Sequence, residues 1–231
     1  MVSPLDHLHH ESPERIFWKK LLTKAKAHQE ALAVAGIILI IVALFVPYYL
    51  KSKAQSEKDA ADVLNLGQYY LRAGVDAQNG PFKSQAEKYQ QCLQTFQRIK
   101  TDFPGTSSSK VGGYYLAKCQ YFMGQYTQSY SGFEEASREL KGTPLGDDAQ
   151  VGQILSLVAQ KQWEPSQQLA LAFISDHPDS FLIPEVKLDL SDIYLQLNNK
   201  EKAVAELKEV AGVSNAGWSQ EASRRLKNLQ S

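Results

Sequence analysis

The sequence predicts an all-α chain: one N-terminal transmembrane helix, then a helical-repeat solenoid of about four helix pairs, closed by a C-terminal capping helix. Three observations predict it. Residues 31–50, ALAVAGIILIIVALFVPYYL, are twenty residues without a charge. A helix-turn-helix pattern recurs every 37 residues through most of the remaining chain. Residues 215–229 then carry one more amphipathic period, apolar on one side only.

Composition narrows the function before any motif is read. The chain has 231 residues and no net charge, and from Lys51 onward 20 Lys and Arg face 21 Asp and Glu. A near-neutral domain argues against nucleic acid, which usually needs a strongly basic surface. Cys92 and Cys119 are the only cysteines, so no disulfide framework or zinc set holds the fold. About 180 residues beyond the anchor suffice for one core or a short repeat array.

Residues 1–30 read as a basic tail on the cytoplasmic side. His7, His9 and His10 sit in a polar stretch with no closed coordination shell, and no metal is expected there. Ser12-Pro13-Glu14 has the order of a helix start: a capping serine, proline in the first helical position, an acid in the first turn. Ile16, Phe17, Trp18, Leu21 and Leu22 follow, among Arg15, Lys19, Lys20, Lys24 and Lys26. That pattern suits a short amphipathic helix touching the bilayer surface over residues 15–26, or a plain helical lead-in to the span.

Residues 31–50 are long enough to cross. At about 1.5 Å rise per residue, twenty residues reach roughly 30 Å, the thickness of a bilayer's hydrocarbon core. The run is longer than a signal peptide's apolar core and no small-x-small site follows, so it reads as an uncleaved anchor. Tyr48 and Tyr49 suit an aromatic belt at the exit interface. Five Lys and Arg lie in residues 11–30 against three in residues 51–70, which places the N-terminus in the cytoplasm and residues 51–231 in the periplasm of a Gram-negative cell. Nothing between Lys51 and Leu66 interrupts a helix, so one continuous rod is expected there.

The repeats are placed near residues 59–104, 110–144, 147–178 and 184–213, with the cap at 215–229. Gly124, Lys161 and Asn198 share the turn phase; Ser129, Ser166 and Ala203 share the small-residue phase five positions later. Large apolar residues follow each, as at Phe133, Phe173 and Leu207. A small residue lets two helix backbones approach, and a turn residue must accept unusual backbone angles. Pro104 and Pro178, two periods apart, stop second helices. The first unit is irregular: Asn79-Gly80-Pro81 cannot be helical, so its first helix is placed at Asp59–Arg72 and its second at Gln85–Lys100, with a loop near Gly74–Phe82.

LAKCQYFMGQYTQSYSGFEEAS (116–137) and LSDIYLQLNNKEKAVAELKEV (190–210) resemble the tetratricopeptide-repeat family. The period of 37 departs from the family's usual length of about 34, and serine replaces the usual alanine at Ser129 and Ser166. The layout of tail, anchor and repeat domain resembles the YfgM type of inner-membrane protein. That resemblance implies a membrane-tethered scaffold, an ancillary partner of the protein-translocation channel and of periplasmic chaperones. A structural subunit of an envelope assembly machine, of the outer-membrane or Tol-associated type, and an organellar import receptor are the alternatives.

No phosphate-binding glycine loop, nucleophile elbow or HExxH sequence occurs, so no enzyme, cofactor or small-molecule substrate is expected. His177 reads as an exposed turn residue. A repeat array presents its first helices on a concave face. By phase that face carries Leu64, Gln68, Tyr114, Lys118, Tyr121, Phe122, Leu155, Val158, Asp192 and Leu195 as partner-binding candidates, together with Leu188. Some of these are equally placed to pack on neighbouring helices. Cys92 and Cys119 read as small buried hydrophobes, with a disulfide as the alternative.

Overall fold

A computed structural model describes residues 12–27, 29–75 and 80–230; the histidines of the N-terminal tail lie outside them. Among the described residues there are ten α-helices and no strand, only a single bridge between Val75 and Phe82. The chain divides into two compact units, Met1–Gln55 and Ser56–Ser231.

In the first unit, α1 (Pro13–Ala27) starts as its sequence demands, with Pro13 opening the helix and Glu14 in the first turn. Its Phe17, Trp18 and Leu22 are exposed. Helix α2 runs from Gln29 to Arg72, 44 residues, and passes through Pro47 without ending. Its apolar stretch is long enough to cross a membrane and none of that stretch is buried against protein; Leu39 is 68 % exposed. A bare apolar helix is stable in hydrocarbon because every backbone N–H and C=O is satisfied within the helix. The helix is continuous over residues 51–66.

The second unit is built from helix pairs. The last part of α2, from Ser56, packs with α3 (Gln85–Asp102). The following pairs are α4 (Ser107–Phe122) with α5 (Tyr126–Glu139), α6 (Pro144–Ala159) with α7 (Trp163–Asp176), and α8 (Ile183–Gln196) with α9 (Lys200–Ala211). Helix α10 (Ala216–Gln230) covers the last pair. The repeat phase places the starts of first helices at 110 and 147; α4 and α6 start three residues earlier, at Ser107 and Pro144. Thr106 and Thr143 cause the shift, because their hydroxyls accept the backbone N–H of Ser109 and Gly146 at the helix starts. Ser84 caps α3 in the same way, accepting from Glu87 N at 3.1 Å.

The period of 37 residues is written into the backbone angles. Gly124, Lys161 and Asn198, one in each tight turn within a pair, have φ of 75°, 58° and 57°. A residue there must tolerate the left-handed region, easy for glycine, acceptable for asparagine and unfavourable for lysine.

The period also sets the crossing of each second helix with the next first helix. Cys92 of α3 and Cys119 of α4 are free thiols packed in one buried cluster. One period on, Ser129 of α5 and Ser156 of α6 pair through their hydroxyls at 3.1 Å. All four side chains are buried, and small residues at both crossings let the helices approach closely. At the third crossing Ser166 donates back to the Trp163 carbonyl at 2.8 Å.

Around these crossings lie four apolar clusters. Phe96 and Ile99 fill the first, Tyr114 and Phe133 the second, Ile154, Phe173 and Leu190 the third, Leu207 and Ala222 the last. His177 corrects an expectation. It is half-buried, stacks on Phe173 at 4.9 Å, and bridges α7 to α6 through Asp147 (3.2 Å) and Gln150 (3.0 Å). Its ring covers the end of the cluster that Phe173 fills, so it works as a structural contact.

Candidate partner-binding groove

First helices touch each other along the second unit: α4 meets α6, and α6 meets α8. No such contact joins α5 to α7 or α7 to α9 among the described residues. A row of pairs packed more closely on one side curves toward that side, so α4, α6 and α8 form its inner face.

That face carries two clefts. The first, ≈ 220 Å³, lies over α4, α6 and α8. Its apolar wall is Tyr121, Phe122, Val151 and Leu155; Gly152 lies at its floor, and Asp148 and Glu185 stand at its edge. Gly152 is there because Phe133 comes up from beneath: a Cβ at this position would fall 2.7 Å from the Phe133 ring. The second cleft, ≈ 300 Å³, lies over α2, α3 and α4 and is lined by Gln68, Leu71, Arg72, Tyr89, Tyr115, Lys118 and Phe122. Lys118 and Phe122 belong to both, so the two clefts adjoin across α4.

Aromatic rings fix the middle of this face. Phe122 is 46 % exposed yet held flat against Tyr89, with ring centres 4.7 Å apart. Tyr121 is wedged between Phe122 and Tyr126 at 5.8 and 5.5 Å. Rings restrained by rings present a large apolar area with little rotamer freedom left to lose on binding. Tyr114 is buried, donates its hydroxyl proton to Asp148, and carries the Lys118 ammonium 5.7 Å from its ring centre. Burial and the Asp148 carboxylate push the Tyr114 pKa up, so its proton stays in that bond.

The face is acidic toward α8. Burial first, then Asp148, raises the Glu185 pKa, while Lys118 opposes. Asp189, one turn on, is pushed up to about 7 by burial and by the like charges of Glu185 and Asp192, with Arg225 opposing. Asp192 is also raised, by burial; it accepts from Arg225 of α10 at 2.7 Å.

Of the sequence-derived candidates, Tyr114, Lys118, Tyr121, Phe122 and Leu155 line the first cleft and Gln68 the second. Asp192 is exposed on the same helix as Glu185 and tied to Arg225. The other three pack inward: Leu64 against the Cys92–Phe96 cluster, Val158 and Leu195 against the Ile154–Phe173–Leu190 cluster. Leu188 is buried against Leu207 and Ala222 instead of facing the groove. On α8 it is Glu185 that lines the cleft, one turn before the expected Leu188.

Asp148, Glu185 and Asp189 stand one turn from the expected phase, and Tyr89 belongs to α3, a second helix, so none of the four was among the first-helix candidates. The signal was available: Asp148 and Glu185 are one 37-residue period apart, and Glu185 and Asp189 share a helix face. A larger hollow, ≈ 440 Å³, opens between α5 and α7 around Tyr130, Gln160 and Pro165. Its lining has no charged side chain and little exposed aromatic surface, so the inner face is the better candidate. A scan of the chain against protein-family models and a search of curated proteins both found no match.

Proposed function

We propose that this chain is a membrane-tethered protein–protein interaction scaffold, with a tetratricopeptide-like repeat region as its binding element. The observation that carries the reading is the inner face of α4, α6 and α8: restrained, partly exposed rings above an apolar cleft. Protein-recognition surfaces concentrate their energy in such aromatic anchors. The apolar stretch of α2 supports a single-pass anchor, and its flanking charge supports a cytoplasmic N-terminus with the repeats in the periplasm. The resemblance in layout points to translocation-channel subunits and periplasmic chaperones as partners.

Site-specific photocrosslinking in native membranes tests this. A photoreactive residue at Phe122 is expected to capture a protein that the same residue at Glu134, exposed on α5, does not. Identical captures from both positions, or none from Phe122, overturn the binding-face reading. A Phe122 partner unrelated to translocation or chaperoning overturns the more specific version alone.

A further inference from the structure

We propose that the occupant of the groove over α4, α6 and α8 is a cationic segment, with a Lys or Arg side chain at the α8 end and large apolar side chains beside it. The inference rests on the reading of this face as a protein-binding surface and goes on to name the chemistry of the partner.

The apolar wall formed by Tyr121, Phe122, Val151 and Leu155 selects for apolar side chains; the charge pattern selects the rest. Asp148 and Glu185 line the cleft; Asp189 and Asp192 follow on α8, where Glu185 and Asp192 both act on Asp189. Lys118 of α4 and Arg225 of α10 are the cations that act on them. Arg225 is already engaged with Asp192, Glu221 and the Leu188 carbonyl. Lys118 leans on the Tyr114 ring and lies at 3.4 Å from its hydroxyl.

The remaining negative charge at Glu185 and Asp189 is therefore undercompensated; burial first, and then that crowding, raises the pKa values of both carboxyls. An incoming ammonium or guanidinium relieves the repulsion among these carboxylates. A carboxylate on the partner would add to it, so the same groups exclude acidic segments.

The other end of the face has the opposite sign. Arg72 and Lys118 line the cleft beyond Phe122. A bound segment thus has a direction, with its basic group toward α8 and away from α2.

The test uses the full chain in neutral detergent micelles at about pH 8, with binding to empty micelles subtracted. Three fluorescent peptides share a Leu–Phe–Leu framework and differ only in carrying two Lys, two Gln or two Glu residues. Fluorescence anisotropy is expected to give the Lys peptide an affinity at least about tenfold above the other two, falling as salt rises. The double variant Glu185→Gln/Asp189→Asn is expected to lose that advantage while keeping its circular dichroism. Equal affinity for all three peptides, or a Lys preference that survives the double variant, overturns the inference and leaves the binding-face reading intact. Binding of none of the three also overturns it; the Phe122 crosslink then decides separately whether the face binds protein at all.

Discussion

Replacing Asp189 by Asn is expected to stabilise the repeat region, and to do so most at alkaline pH. The carboxyl titrates near 7 in the fold against an ordinary value of 3.8. A group that holds its proton more tightly when folded adds stability where it is protonated. That contribution is complete below pH 3.8 and is lost as pH rises through about 7. Each pH unit of perturbation is worth ~1.4 kcal/mol. Between pH 5 and pH 8.5 the wild-type chain therefore loses at most ~2.7 kcal/mol through this one group. Asp189 is partly exposed, so solvent screening lowers the figure to ~1–2 kcal/mol. Asn does not titrate and is nearly the same shape, so the variant escapes the loss. For a unit of this size that corresponds to a melting temperature about 4 °C higher than wild type at pH 8.5, and a smaller gap at pH 5. Far-UV circular dichroism of both chains in the same micelles, melted at the two pH values, reads the difference directly. A gap that does not widen with pH, or a variant less stable at pH 8.5, refutes the reasoning. A stabilising substitution at Asp189 would identify the carboxylate as one kept at a cost to the fold, the pattern expected of a residue retained for binding.

Two further outcomes follow from the packing. Gly152→Ala is expected to destabilise by up to ~2 kcal/mol: the overpacking cost against Phe133, ~1–3 kcal/mol, is offset only in part by the gain in helix propensity, ~1 kcal/mol. A urea-unfolding midpoint equal to or above wild type would show that the Phe133 ring moves aside. Cys92 and Cys119 are buried free thiols, so a maleimide is expected to modify neither in the folded chain and both after unfolding in urea without reductant. Mass spectrometry counts the additions; no label on the unfolded, unreduced chain would mean a disulfide joins α3 to α4.

Much of the architecture was legible because it rests on local rules. Twenty uncharged residues determine a long apolar helix whatever surrounds them. The loop at Asn79-Gly80-Pro81 follows from what proline and glycine do to a backbone, and α3 accordingly begins only at Gln85. The turn phase at 124, 161 and 198 was visible as a spacing, and the left-handed angles at all three positions are its physical content. Lys161 shows the limit of reading by residue type: nothing about a lysine announces a positive φ, only its place in the period. The helix starts at Ser107 and Pro144 escaped the phase analysis because threonine capping acts one residue at a time and has no period.

The candidate groove was legible only in part. Tyr114, Tyr121 and Phe122 stand out in any reading, since aromatics on a first helix have to go somewhere. Their separation into a buried hydrogen-bonded ring, a wedged ring and a half-exposed one depends on Asp148, Tyr126 and Tyr89, which come from three other helices. Leu64, Val158, Leu188 and Leu195 have the same apolar character as Leu155, yet only Leu155 lines the cleft. A helix surrounded by neighbours has apolar residues on more than one side, so its periodicity does not say which side remains open.

By itself the sequence determined that the chain is all-helical, that one helix is long and apolar enough to cross a membrane, and that the rest repeats every 37 residues. Those properties depend on composition and on spacing along one helix. Tertiary structure alone decided that α4, α6 and α8 share an inner face, that two buried thiols pack in one cluster, and that Asp148, Glu185 and Asp189 gather beside exposed rings. The reason is that charge and burial at a groove are sums over elements distant in the chain. Repulsion between carboxylates on α6 and α8 exists only once the pairs have stacked.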